Sequence, residues 1–142
     1  MLEAVGRIPG AVVPKSGLGG AGLVSTVDED GNELAGIRLP ELAVPLATST
    51  AWNTRHAENG AEGQMSDMVG STIPFARTKA ERAAAGDPRP SLEERYAGCE
   101  DYQAKVREAA LELVAKGHML AQDVESSVAN AGALWRRIVG DA

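Results

Sequence analysis

Two apolar stripes near the carboxy-terminal end constrain this chain more than anything else in it. Tyr102, Val106, Ala109, Ala110, Leu113 and Val114 recur at three- and four-residue intervals, and so do Leu120, Val124, Val128, Ala131, Trp135 and Ile138. That spacing places each set on one face of an α-helix. Gly117 stands between the stripes as a natural helix-ending residue. A connection this short leaves the two helices no choice but to lie side by side, so they are expected to pack as an antiparallel pair. Asp101 with Lys105, and Glu112 with Lys116, form i,i+4 pairs away from the stripe, each contributing about 0.2–0.5 kcal/mol. Arg136 and Arg137 suit the negative end of the last helix. Gly132 inside that helix costs roughly 1 kcal/mol relative to Ala.

Two shorter helices are expected just upstream. Thr78-Lys79-Ala80-Glu81 has capping-box spacing and opens a helix that Gly86, Pro88 and Pro90 end. Ser91-Leu92-Glu93-Glu94 repeats the spacing and opens a second, running to about Ala97. Before Arg77 the pattern changes to short extended runs. Residues 24–39 read as a β-hairpin turning at Asp28-Glu29-Asp30-Gly31-Asn32, with Leu34, Ile37 and Leu39 in its second arm and Pro40 ending it. Residues 42–50 read as a further extended segment that Pro45 restricts to an edge, and 52–72 as a long polar loop. The fold class is therefore α+β: an N-terminal β-hairpin and extended segments followed by about four C-terminal helices. The expected organisation is a flexible glycine-rich segment over 1–23 and one unit over 24–142. Within that unit, 24–50 is extended or hairpin, 51–76 loop and 77–142 helical.

Composition bounds what such a fold can hold. Aromatic residues make up only 4 % of the 142. Each buried ring removes on the order of 150–250 Å² from water, so a core poor in rings and a chain with 16 Gly predict marginal stability for the chain alone. The net charge is −6, concentrated in residues 1–73, which carry four Lys/Arg against nine Asp/Glu. No basic stripe exists to neutralise a phosphate backbone, which argues against nucleic-acid binding. A single cysteine, Cys99, cannot form an internal disulfide and has no neighbouring histidine to activate it, so it reads as a small residue at a helix start. No apolar run reaches the length of about 18 residues that a membrane span needs. The amino terminus lacks the pattern of a secretory signal. The chain as given is expected in the cytoplasm; a longer parent could be exported.

The chemistry-bearing motifs are few. Gly17-Leu18-Gly19-Gly20-Ala21-Gly22 satisfies G-x-G-x-x-G, but β-rich residues follow it where a dinucleotide site needs a helix, and Glu41 lies outside any βαβ context. It reads as a linker. No G-x-S-x-G occurs, so no nucleophile elbow can be drawn; Gly70-Ser71-Thr72 comes nearest. Of the two histidines, His56 falls in the polar loop. His118 follows Gly117, where it is expected to help satisfy carbonyls at the helix end. A triad of His56, Asp67 and Ser71 can be imagined, but spacing alone does not order three loop residues within hydrogen-bond reach. No metal-ligand pattern is present. Trp52, between an extended run and the polar loop, reads as a ring covering the edge of the core, or alternatively as a pocket wall. No catalytic, cofactor-binding or metal-binding residue is assigned, and no cofactor is expected.

Five stretches carry a resemblance: Asp28-Glu29-Asp30-Gly31-Asn32-Glu33, Gly36-Ile37-Arg38-Leu39-Pro40, Val44-Pro45-Leu46-Ala47-Thr48, Gly70-Ser71-Thr72-Ile73-Pro74-Phe75-Ala76-Arg77 and Pro90-Ser91-Leu92-Glu93-Glu94-Arg95-Tyr96. In order and spacing they resemble the C-terminal region of the bacterial α/β-hydrolase-domain protein family, over roughly residues 28–138. The glycine-rich run before Val24 departs from the family pattern. The resemblance implies a partial α/β hydrolase of the ester hydrolase class, its C-terminal portion. In such families the serine nucleophile and the triad histidine lie upstream of this region, so none is carried onto a position here. Such a segment would lack the nucleophile and be inactive alone, with the missing N-terminal hydrolase portion, or a second copy of itself, as its partner. An independent protein-interaction or dimerisation module is the alternative, and a small complete enzyme built on loop residues is a third.

Overall fold

The computed structural model describes residues 26–66 and 69–140. The glycine-rich segment and its G-x-G-x-x-G run, the start of the expected hairpin and Asp67 lie outside them. The elements in chain order are helix α1 (Pro40–Ala43), strands β1 (Ala47–Thr50), β2 (Asn53–Thr54), β3 (Met65–Ser66) and β4 (Ser71–Pro74), and helices α2 (Lys79–Ala85), α3 (Leu92–Arg95), α4 (Cys99–Ala115) and α5 (Val124–Val139). The class is α+β. The described strands form two separate two-stranded antiparallel sheets, β1 with β4 and β2 with β3. Ala47 faces Pro74 and Thr50 faces Ser71 at the two ends of the first.

The helical half follows the sequence pattern closely. Tyr102, Val106, Ala110 and Leu113 are the buried residues of α4, and Val124, Val128, Ala131, Gly132 and Trp135 those of α5. Gln103 reaches the Val128 carbonyl and Arg107 pairs with Glu125, so residue numbers rise on one helix as they fall on the other: the pair is antiparallel. Gly117 (φ 74°) ends α4. Its N–H donates to the Val114 carbonyl and that of His118 to Leu113, the double bond of a Schellman motif. Gly132 faces the Gln103 side chain of α4. A Cβ there would stand 2.5 Å from Gln103 Nε2, so the missing side chain is what lets the Gln103 amide bridge the helices. Leu120, expected in the α5 stripe, is instead 63 % exposed. It precedes the 3-10 turn Ala121–Asp123, before the helical phase of α5 is set.

The capping signals upstream also form. Thr78 Oγ1 accepts from the Glu81 N–H at 3.1 Å. The Glu81 carboxylate, however, takes the Arg77 N–H at 2.9 Å, one residue before the cap. Gly86 (φ 62°) closes α2 in the left-handed region. At α3 the Glu94 carboxylate accepts from both the N–H and the hydroxyl of Ser91, at 2.8 and 2.7 Å.

The N-terminal half departs from expectation in three places. The hairpin over 24–39 reduces, among the described residues, to one antiparallel bridge between Val27 and Glu33. Its second arm does not pair: Leu34, Ile37 and Leu39 are each about half exposed, and Gly36 (φ 79°) turns the chain out of an extended path. Residues 40–43, expected within or before an extended run, form α1. Pro40 does not merely end a strand; it occupies the first helical turn, where its lack of an N–H costs nothing. Residues 52–72, expected as loop, contain β2, β3, a 3-10 turn (Ala57–Asn59) and the start of β4. Polar strands this short carry no apolar alternation to reveal them.

The core gathers Leu46, Phe75, Leu92, Tyr96, Tyr102, Val106, Val128, Ala131 and Trp135. Three of the rings form one cluster: Tyr96 stands edge-on to Tyr102 (centroids 5.1 Å) and to Trp135 (6.0 Å), and Tyr102 lies 5.4 Å from Trp135. The scarcity of aromatics is offset by placing four of the five at one centre.

Candidate functional site

The five stretches that carry the family resemblance meet in space along a buried polar seam between the β1–β4 ribbon and α3. At one end is the turn 28–33. Asp28 Oδ1 accepts from the N–H groups of Asp30 (3.0 Å) and Asn32 (2.9 Å), and Gly31 (φ 80°) allows the reversal. This turn presents Asn32, which is fully buried, to the outer edge of β1. Asn32 Nδ2 donates to the Ala47 carbonyl at 3.2 Å and Oδ1 accepts from the Ser49 N–H at 2.7 Å.

The centre of the seam is an ion pair. Arg89 and Asp87, 3 % and 8 % exposed, join through Nη2 and Oδ2 at 2.6 Å and Nε and Oδ1 at 2.9 Å. Arg89 Nη1 also donates to Thr48 Oγ1 at 2.8 Å, and the Thr48 hydroxyl in turn donates to the Asp30 carbonyl. Burial raises the Asp87 carboxyl, but hydrogen bonds from the Arg89 side chain and N–H outweigh it and hold the group below the ordinary carboxylate range. The Arg95 guanidinium takes both carboxylate oxygens of Asp30 and lies 4.3 Å from the Phe75 ring centroid, with Arg89 at 5.0 Å from the same ring. Glu94 is pulled down to about 2 by the Ser91 hydroxyl and N–H, with Arg82 adding to it.

Beside the seam, between the 28–45 segment and α4, lies a groove of about 880 Å³. Its floor is Val44, Pro45, Tyr96 and Leu113; Leu34 and Ile37 form an apolar lip, and Lys105 and Glu108 of α4, with Lys116 just past its end, the opposite rim. Tyr96 is anchored by a 2.9 Å bond from its hydroxyl to the Pro45 carbonyl, and burial raises its pKa to about 12. The groove wall at Arg38 is held by Asp28 (2.7 Å) and the Leu42 carbonyl.

The sequence-nominated residues fall in different places. Ser71 Oγ donates to the Trp52 carbonyl at 3.2 Å, while His56, with a side chain 71 % exposed, takes the Glu58 N–H at 3.4 Å through Nδ1. The two are occupied by different partners. His118 serves the end of α4 through its backbone N–H, and the residue lines the groove. Trp52 is half-buried and lines neither the groove nor the shallow cavity of about 400 Å³ around His56; its carbonyl, accepting from Thr50 and Ser71, is what the fold uses. Cys99 is partly buried, its thiol 3.7 Å from Gln103 Oε1. Gly70 of the Gly-Ser-Thr run is required by packing: a Cβ there would overlap the Thr50 carbonyl oxygen. Among the described residues no group of three or more His, Cys, Asp or Glu is arranged to hold a metal ion, and no helix is long and apolar enough to cross a membrane.

Sequence reading missed Asn32, Asp87 and Arg89 as organisers. A signal was present in Asp87-Pro88-Arg89-Pro90, where two proline rings restrain the backbone and leave opposite charges two residues apart. In the sequence pattern it marks only a helix break.

These features define an α+β chain in which four of the five resemblance-bearing segments line one groove. Comparison with family models agrees: the family described as alpha/beta hydrolase domain matches residues 9–129. The chain belongs to this α/β-hydrolase-domain family. No curated protein and no solved structure matches it.

Proposed function

We propose that this chain is the C-terminal segment of an α/β hydrolase of the ester hydrolase class, a scaffold and pocket wall that lacks the nucleophile and is inactive alone. The observation that carries this reading is the pairing of the described strands. They stand in two separate antiparallel ribbons, whereas a nucleophile elbow of this class sits on a strand-to-helix turn at the top of a larger sheet. Ser71 and His56, tied to Trp52 and Glu58 respectively, support it. The seam supplies what a pocket wall needs, side chains locked by their own hydrogen bonds. The partner is the N-terminal portion of the hydrolase, which would bring serine, histidine and acid to the groove.

Purified chain should turn over p-nitrophenyl acetate no faster than a heat-treated control. Turnover that Ser71→Ala abolishes would overturn the proposal. The alternative reading, an interaction or dimerisation module, draws on the exposed Leu34, Ile37 and Leu39. A well-behaved complex with cooperative unfolding in size-exclusion and denaturation experiments would favour it.

A further inference from the structure

The side-chain amide of Asn32 stands where the peptide group of a neighbouring strand would stand. In β1 the residues paired to β4 by backbone hydrogen bonds alternate: Phe75 N–H donates to the Leu46 carbonyl and the register runs through Thr48 opposite Ile73, so Ala47 and Ser49 turn their backbone groups to the other edge. Those are the two groups that Asn32 takes, one as donor and one as acceptor. A carboxamide offers the same N–H and C=O as a peptide unit. The far edge of the ribbon is protected differently, since Pro74 in β4 has no N–H to offer.

The freed edge of β1 is complementary to itself. An antiparallel pair centred on Thr48 in each of two copies would set Ser49 N–H of one against the Ala47 carbonyl of the other, twice, about a two-fold axis. These are the same two bonds per copy that Asn32 now makes. We propose that the turn 28–33 is a plug whose Asn32 amide occupies a strand-pairing site, and that its removal lets β1 pair with β1 of a second copy. Asp28 organises the turn internally, and it meets β1 through Asn32 and the Thr48 hydroxyl; its remaining ties, Asp30 to Arg95 and Asp28 to Arg38, are side-chain ion pairs that open with it. The plug is a device against edge-to-edge association.

The test compares Asn32→Ala with Asn32→Ala/Ser49→Pro by sedimentation velocity and far-UV circular dichroism. Ser49 N–H faces away from β4, so proline there leaves the ribbon intact while removing, in both copies, the Ser49 N–H that each would give the other's Ala47 carbonyl. The single variant is expected to sediment as a dimer, and the double variant as a monomer with unchanged dichroism. A monomeric, folded Asn32→Ala overturns the proposal, and so does association that persists in the double variant. Should Asn32→Ala lose its native dichroism, hydrogen exchange in the unmodified protein decides. The plug opens separately, so the Ser49 amide should exchange at least tenfold faster than that of Thr48. Equal rates for the two overturn the proposal.

Discussion

Between Tyr96 and Trp135 the chain buries rings and aliphatic chains against one another; between Asp28 and Arg89 it buries an amide, a hydroxyl and an ion pair. Both regions exclude water, yet their stability has different origins. In the helical half each fully buried large side chain contributes about 1.5–3 kcal/mol by leaving water, with little demand on direction. In the seam every group has surrendered its hydration, and the net gain depends on each bond being made. The helical half should therefore tolerate change that preserves volume, whereas the seam should lose most when one of its two buried charges is removed without the other.

The largest effect should come from Arg89→Met. It leaves Asp87 charged, buried and unpaired, and strips a donor from Thr48, so the free energy of unfolding should fall by about 3–5 kcal/mol. Asp87→Leu/Arg89→Met removes both charges and should lose distinctly less. Equal losses in chemical denaturation would show that the ion pair is not what holds the seam.

Titration should separate the halves. Asp87 and Glu94 are held below their ordinary values, so they bind protons more readily unfolded than folded. The stability they contribute is fully present above about pH 5 and is lost as pH falls toward about 2, the value for Glu94. Tyr96 and Tyr102 are raised by burial, which gives the opposite sign. Their contribution is complete below the ordinary tyrosine value and is lost as pH rises through about 12 for Tyr96. Denaturation midpoints across pH should show both limbs, the acid one flattened by Glu94→Gln and the alkaline one by Tyr96→Phe. If Glu94→Gln leaves the acid limb unchanged, the capping carboxylate is not the group being titrated.

The smallest effect tests the rule from the other side. The Tyr102 hydroxyl is buried with no hydrogen-bond partner among the described residues, so Tyr102→Phe should raise stability by about 1 kcal/mol. A loss of stability on that substitution would mean the hydroxyl has a partner, and that the helical half also depends on a directed bond.

The legibility of the sequence divides along the same line. Tyr102, Val106 and Leu113 of α4, and Val128 and Trp135 of α5, announced themselves through a helical period, and Thr78, Gly86 and Gly117 marked ends, because such signals depend on neighbours within four or five residues. The five resemblance-bearing stretches were also visible, but as a pattern without a physical role. β2 and β3, two residues each, and the one-turn helix behind Pro40 were not visible, since nothing in their local spacing distinguishes them from loop.

The sequence alone determined the helix pair, its caps and the family to which the chain belongs, all of which follow from periodicity, local hydrogen-bond chemistry and pattern. Only the tertiary structure decided that Asn32 would stand in for a strand, that Arg89 would reach Thr48 41 residues away, and that Gly132 and Gly70 are empty to admit Gln103 and a carbonyl. The reason is physical: apolar burial is summed over surface and leaves a period in the chain, while a hydrogen bond is a condition on two atoms whose meeting depends on the fold between them.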